Sequence, residues 1–197
     1  MTQQFFRFFR RVLAGGLLLA VLNASAARIA EQDFAEQLRL AETDLLLNGV
    51  GLRSVAWLKG FAAGLYLREK AGTAAQVLAQ AGAKRLQMKM IIDVQTKEFI
   101  KAFAVSLRRN NTEAEQASLK DRVEQFNRVL ELIGKVRKGD VVDLDFVPGT
   151  GLIVSVNGTP KGAPVAGADL YASLLKVFIG ERPVDKRLKD GLLGAPA

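Results

Sequence analysis

The chain has 197 residues, 49% of them hydrophobic and 24% charged, a balance that suits one globular domain with a real core. It contains no cysteine and no histidine, which excludes disulfides, zinc thiolate sites, thiol nucleophiles and the usual imidazole base or metal ligand. The formal net charge is +8, but Arg7, Arg10 and Arg11 carry three of those charges within the first eleven residues, and the +5 that remains without them decides little about partners.

The three arginines precede an uncharged apolar run, Val12 to Leu22, and a small-x-small site at Ala24, Ser25 and Ala26. That is the three-part layout of a secretory signal peptide cleaved after Ala26. It divides the sequence into a leader, 1–26, and a single domain, 27–197, with the periplasm as the expected destination. The eleven apolar residues fall short of the roughly 18–20 that span a bilayer, which argues against a membrane anchor. Arg10 and Arg11 match a twin-arginine export signal only loosely.

Ala30 to Thr43 is acidic and mixed, with Phe34, Leu38 and Leu40 too widely spaced for an amphipathic face, and reads as a short lead-in strand or loop. Two glycine-rich runs, Leu45 to Val55 and Trp57 to Leu67, have the composition of strands and predict a hairpin reversing near Ser54 to Ala56. Gly72 to Gly82 reads as a short helix ended by glycine. Lys84 to Asp93 alternates, with Leu86, Met88 and Met90 on one face and Arg85, Gln87 and Lys89 on the other, as a half-buried strand does. Thr96 is placed to cap a helix carrying Phe99, Phe103 and Leu107. Thr112 and Glu115 form a capping-box pattern that opens a second helix running to Gly134. Asp140 to Val147 and Gly151 to Val156 are strands joined by a Pro-Gly turn, and Asn157-Gly158 then turns into a short strand near Ala163 to Val165. An apolar helix, Ala168 to Ile179, and a shorter charged one, Arg182 to Leu193, end the chain. This order predicts an α+β domain with an antiparallel sheet covered by helices on one face.

Few residues in this framework suggest chemistry. Gly49-Val50-Gly51 is not a dinucleotide fingerprint, because Ser54 stands where the third glycine belongs and a strand follows where a helix should. Those glycines instead suit a kinked strand or a close approach by another group. Asp140, Asp143 and Asp145 read as a solvent face, since only the last two share a strand face and no further acid is near for a hard cation. The basic groups Arg108-Arg109, Lys135 to Lys138 and Lys186 to Lys189 fall at helix ends without interleaved aromatics, so nucleic acid is not an expected partner. Peripheral contact with an anionic membrane is compatible with the positive balance. No cofactor and no metal are expected. Arg53 differs in its setting: a guanidinium keeps its charge, and on a strand walled by Val55, Trp57 and Phe61 it needs an anion or water. Either it pairs with an acidic side chain or snorkels to the surface, or it holds the oxyanion or carboxylate of an otherwise apolar ligand.

Three ordered blocks carry a family resemblance. Gly49-x-Gly51-x-Arg53, then Ala63-Gly64-Leu65-Tyr66-Leu67, then Phe178-Ile179-Gly180-Glu181-Arg182-Pro183 with Leu192-Leu193-Gly194, resemble the bacterial chalcone isomerase-like family over roughly Thr43 to Gly194. The resemblance implies an open-faced β-sandwich of chalcone isomerase type: a large antiparallel sheet, a helical layer, and an apolar cleft between them. In the plant enzymes an arginine on the first conserved hairpin positions a phenolate for attack on an enone. A threonine, a tyrosine and an asparagine supply polar contacts. Related plant proteins of the same fold hold a fatty-acid carboxylate with the arginine and a tyrosine.

Arg53 matches the family arginine. The threonine's place falls at Phe61, the tyrosine's near Phe99 and the asparagine's near Ser106. Phenylalanine donates no hydrogen bond, and loss of one donor to a developing oxyanion costs about 100-fold to 1000-fold in rate. The resemblance therefore implies a carrier of a small apolar anion such as a fatty acid, with Arg53 at the charged end and Trp57, Phe61, Phe99 and Phe103 as apolar wall. The alternative is an intramolecular lyase or isomerase acting on a chalcone-like enone, with Arg53 assisted by Ser106 or by Tyr171 as a replacement donor.

Overall fold

The computed structural model describes residues 26–55 and 58–195. The expected leader up to residue 25, and Trp57, lie outside the described residues. In chain order the elements are β1 (Ala26–Ile29), β2 (Gln32–Ala35), β3 (Gln37–Leu40), β4 (Thr43–Val55), β5 (Leu58–Leu67), α1 (Ala74–Ala79), β6 (Lys84–Met90), β7 (Val94–Gln95), α2 (Thr96–Asn110), α3 (Glu113–Ile133), β8 (Lys135–Val136), β9 (Val141–Val147), β10 (Gly151–Val156), β11 (Thr159–Pro160), α4 (Ala168–Ile179) and α5 (Lys186–Leu192).

Seven strands form one antiparallel sheet in the order β11-β10-β9-β6-β5-β4-β3. Strict alternation on β6 turns Lys84, Leu86, Met88 and Met90 to one face, which buries them. With Ala63, Leu65 and Leu67 of β5 and Val142 and Leu144 of β9 they form the main core. The covering layer is helical. Helix α4 is buried at most of its positions, as befits a helix between sheet and neighbours, and Phe126 of α3 packs edge-on against Phe99 and Phe103 of α2.

The opposite face is not bare. Strands β1 and β2 pair as a small hairpin, in place of the expected lead-in strand or loop, and seat Phe34 over Gly64, where a Cβ would come within 2.7 Å of the Phe34 ring. Lys89 covers the same ring at 5.0 Å and donates to the Asp33 carbonyl. Phe34, Leu45, Leu47, Ala62 and Tyr66 make a second apolar cluster there. Next to it lies a buried ion network. Arg85 forks onto Asp145 with both bonds at 2.6 Å and has Asp143 at 3.7 Å, while Gln87 donates to Asp143 at 2.9 Å. The expected solvent face for Asp143 and Asp145 is therefore overturned, because Arg85, opposite Asp145, and Gln87, opposite Asp143, supply the donors that make burial tolerable. Burial pushes the Tyr66 hydroxyl beside this network up to about 12.

Two local readings are also corrected. Thr96 is the first residue of α2, after Gln95, and its hydroxyl donates to the Gly134 carbonyl, so it ties α2 to the end of α3 and caps nothing. Asn157-Gly158 turns at once into β11, and Val165 meets the sheet only through a bridge to Leu152. The Thr112–Glu115 capping box forms as the pattern requires.

Candidate functional site

Strand β4 would present its odd-numbered residues to one face throughout if it ran regularly. It does not, because a bulge between Leu47 and Gly49 inserts Asn48 as an extra residue. Before the bulge Leu45 and Leu47 belong to the outer cluster. After it Gly49, Gly51 and Arg53 pair with Leu65, Ala63 and Phe61 and turn to the helical side. Asn48 is held by its own side chain, which donates to the carbonyls of Ala71 (3.0 Å) and Leu192 (2.7 Å) and accepts from the Ala71 N–H (2.7 Å). That buried amide decides which way Arg53 points, and nothing in the pattern of β4 announced it.

The two glycines admit α5. A Cβ at Gly51 would stand 2.5 Å from the Leu188 carbonyl oxygen, and one at Gly49 would stand 2.8 Å from the Gly194 nitrogen. The chain needs glycine here for proximity, as the sequence reading of a close approach anticipated. The seating of α5 brings its N-cap, Asp185, over Arg53. One Asp185 oxygen accepts the N–H groups of Arg187 (2.9 Å) and Leu188 (3.2 Å), and the other accepts from Arg53 Nη1 at 3.2 Å and the Ser54 N–H at 3.4 Å. Arg53 Nη1 also donates to the Ser54 carbonyl at 2.7 Å. The side chains of Arg53 and Asp185 keep 24% and 13% exposure, so water reaches the pair. Sequence reasoning overlooked Asp185, although an aspartate directly before a charged helix is a cap signal.

The other candidate residues are spread over a wider area. Phe61 is half-buried opposite Arg53. Phe99 is half-buried on α2, stacked on Phe178 at 6.1 Å, and Phe103 is fully buried behind it against Phe126. Ser106 is buried, accepts from Asn110 at 3.1 Å, and lines a groove of about 270 Å3 with Val105, Arg109, Arg182 and Val184. A larger groove, about 640 Å3, opens beside Asp185 and Ser54 between Val50, Leu52 and Arg187. Arg53 lines neither groove. Tyr171 is not a replacement donor: its hydroxyl donates to the Leu144 carbonyl at 3.0 Å, its ring stacks on Phe146, and burial pushes its ionisation well above the usual tyrosine range. It also sits seven residues before Phe178 on α4, about 10 Å along the helix axis and away from the Arg53 end. No group of three or more metal-ligating side chains occurs among the described residues.

A curled antiparallel sheet of seven strands with five helices is the chalcone isomerase-like fold. The family model described as chalcone isomerase-like matches residues 26–194, and the chain belongs to that family. Among solved structures, a fatty-acid binding protein of Arabidopsis thaliana superposes with a TM-score of 0.64, covering 86% of this chain and 96% of that one at 18% identity. At that identity the likeness is one of fold. Comparison with curated proteins finds no match.

Proposed function

We propose that the protein binds a small apolar anion, such as a fatty acid, between the sheet and the helical layer, with Arg53 taking the charged end. The observation that carries this reading is the state of Arg53. It faces the helices beside Phe61, and a single 3.2 Å contact joins it to a carboxylate whose other oxygen is committed to capping α5. A ligand carboxylate can replace that contact and leave the cap intact, and the fork of the guanidinium then engages it through two donors. The likeness in fold to a fatty-acid binding protein supports the same ligand class.

The aromatic cluster of Phe99, Phe103 and Phe178 supplies apolar wall but no hydrogen-bond donor to an enolate. Cyclisation of a chalcone at the rate found in buffer is accordingly expected, and a large acceleration would favour the lyase reading. We further propose that the protein acts after export, which N-terminal sequencing of the secreted form beginning at Ala27 would support.

The test is to extract the purified protein and identify what it carries by mass spectrometry, beside an Arg53→Ala variant. A stoichiometric fatty acid present in the first and lost in the second is expected. An identical load in both would remove Arg53 from the site.

A further inference from the structure

The helical side of β6 holds one residue that does not belong to an apolar face. Lys84 occupies the first inward position of the series Lys84, Leu86, Met88 and Met90, and it is 6% exposed. Its Nζ donates to the carbonyl of Gln80, the C-cap of α1, and stands 5.9 Å from the centre of the Phe146 ring on the neighbouring strand. Among the described residues no carboxylate pairs with it, and burial alone pulls its ionisation below the usual lysine value. An ammonium has three donors, and one carbonyl and one ring face leave part of that capacity unused.

Lys84 borders a cavity of about 210 Å3 between the end of α1, β6, β9 and the start of α4, walled by Leu78, Phe146, Pro148, Tyr171, Ala172 and Leu175. Tyr171 contributes its ring, since its hydroxyl is already bound to Leu144. The volume exceeds the roughly 150 Å3 that admits benzene to an apolar cavity and falls below the roughly 300–1,000 Å3 of sites for drug-sized ligands. The place is also distinct from the Arg53 end. Met90, which pairs with Phe61 beside Arg53, lies six residues along β6 from Lys84, or about 20 Å.

We infer that Lys84 and this cavity form a second anion site, which takes a small monocarboxylate with a compact apolar body. The carboxylate would complete the donor set of the ammonium, and the apolar body would fill the space against Phe146, Ala172 and Leu175. A long fatty-acid chain does not fit the volume, so the inference stands independently of the Arg53 reading.

Benzoate is the probe, titrated into the protein by calorimetry with benzyl alcohol as its uncharged counterpart. Saturable binding of one benzoate is expected at this site, at least tenfold tighter than benzyl alcohol. Lys84→Met should weaken benzoate at least tenfold, and Ala172→Leu, which fills the cavity from α4, should do the same while both variants keep the parental circular dichroism. The comparison of benzoate with benzyl alcohol uses the unaltered protein and so does not depend on how a variant folds. Absence of saturable benzoate binding, equal affinity for the two probes, or benzoate binding untouched by Lys84→Met would each overturn the site.

Discussion

Two of the arginine pairs made by the sheet, Arg85 with Asp145 and Arg53 with Asp185, differ in almost every respect that governs an ion pair. Arg85 meets its partner directly across adjacent strands, in a two-bond fork, with the side chains 19% and 5% exposed and a second carboxylate close by. Both partners ride on rigid strands, and the donors of one match the acceptors of the other. Arg53 meets a residue 132 positions away, through one longer contact, and that partner is shared with a helix end. The first pair is saturated and serves the fold. The second is held by one contact to a carboxylate that also caps a helix, and the proposed exchange with a ligand carboxylate rests on that difference.

Substitution gives the widest separation between the two. Arg85→Leu leaves Asp145 buried without its cation and should cost about 3–5 kcal/mol, whereas Arg53→Leu should cost less than about 1 kcal/mol. Chemical denaturation of both variants measures the difference, and equal losses would break the contrast. The double variant Arg85→Leu with Asp145→Leu should recover most of the loss.

A second effect reaches Arg53 through the bulge. Asn48→Ala strands the Ala71 and Leu192 backbone groups that the amide satisfies, so a loss of about 2–3 kcal/mol is expected together with weaker fatty-acid binding. Stability lost with ligand affinity unchanged would mean that the bulge does not orient the site.

Asp185→Ser keeps an oxygen to cap α5 and removes the competing charge from Arg53. Stability should change by less than about 1 kcal/mol, and affinity for laurate should rise about three- to tenfold. Unchanged or weaker laurate binding would show that Asp185 is not what the ligand displaces.

The smallest effect is on acid stability. Hydrogen bonds hold Asp140 below the usual carboxylate value, chiefly the one from the Arg137 N–H, and the bond from Arg122 does the same for Asp169. A carboxyl lowered in the folded state stabilises the fold above its unfolded value, 3.8, and that contribution is lost as the pH falls through the folded value. Asp145 works with the opposite sign. Burial pushes its carboxyl up, against the pull of Arg85, so acid relieves a cost there and blunts the loss. Denaturation midpoints should therefore stay level down to about pH 5 and decline modestly below pH 4. A rise in the midpoint on acidification would show that the buried network outweighs the surface carboxylates.

Much of the framework was legible because it rests on local rules. The alternation of Leu86, Met88 and Met90 marks β6, the Thr112–Glu115 pair marks the start of α3, and Pro148-Gly149 marks the turn between β9 and β10. The glycines at 49 and 51 announced a close approach without saying of what. Lys84 carried the same inward parity as Leu86 and could have been noticed on that ground. Asp143 and Asp145 could not be read as buried from their own strand, since their burial depends on Arg85, which lies 58 and 60 positions away in sequence.

The sequence by itself determined most of the elements, their order and the presence of Arg53 as a cation in an apolar setting, because periodicity, caps and turn residues act over a few neighbouring positions. Tertiary structure alone decided where that cation points and what it meets. The bulge at Asn48 is held by Ala71 and Leu192, and Asp185 arrives with α5 from the far end of the chain. Those contacts join residues that are close only after the sheet has formed, so no local pattern encodes them.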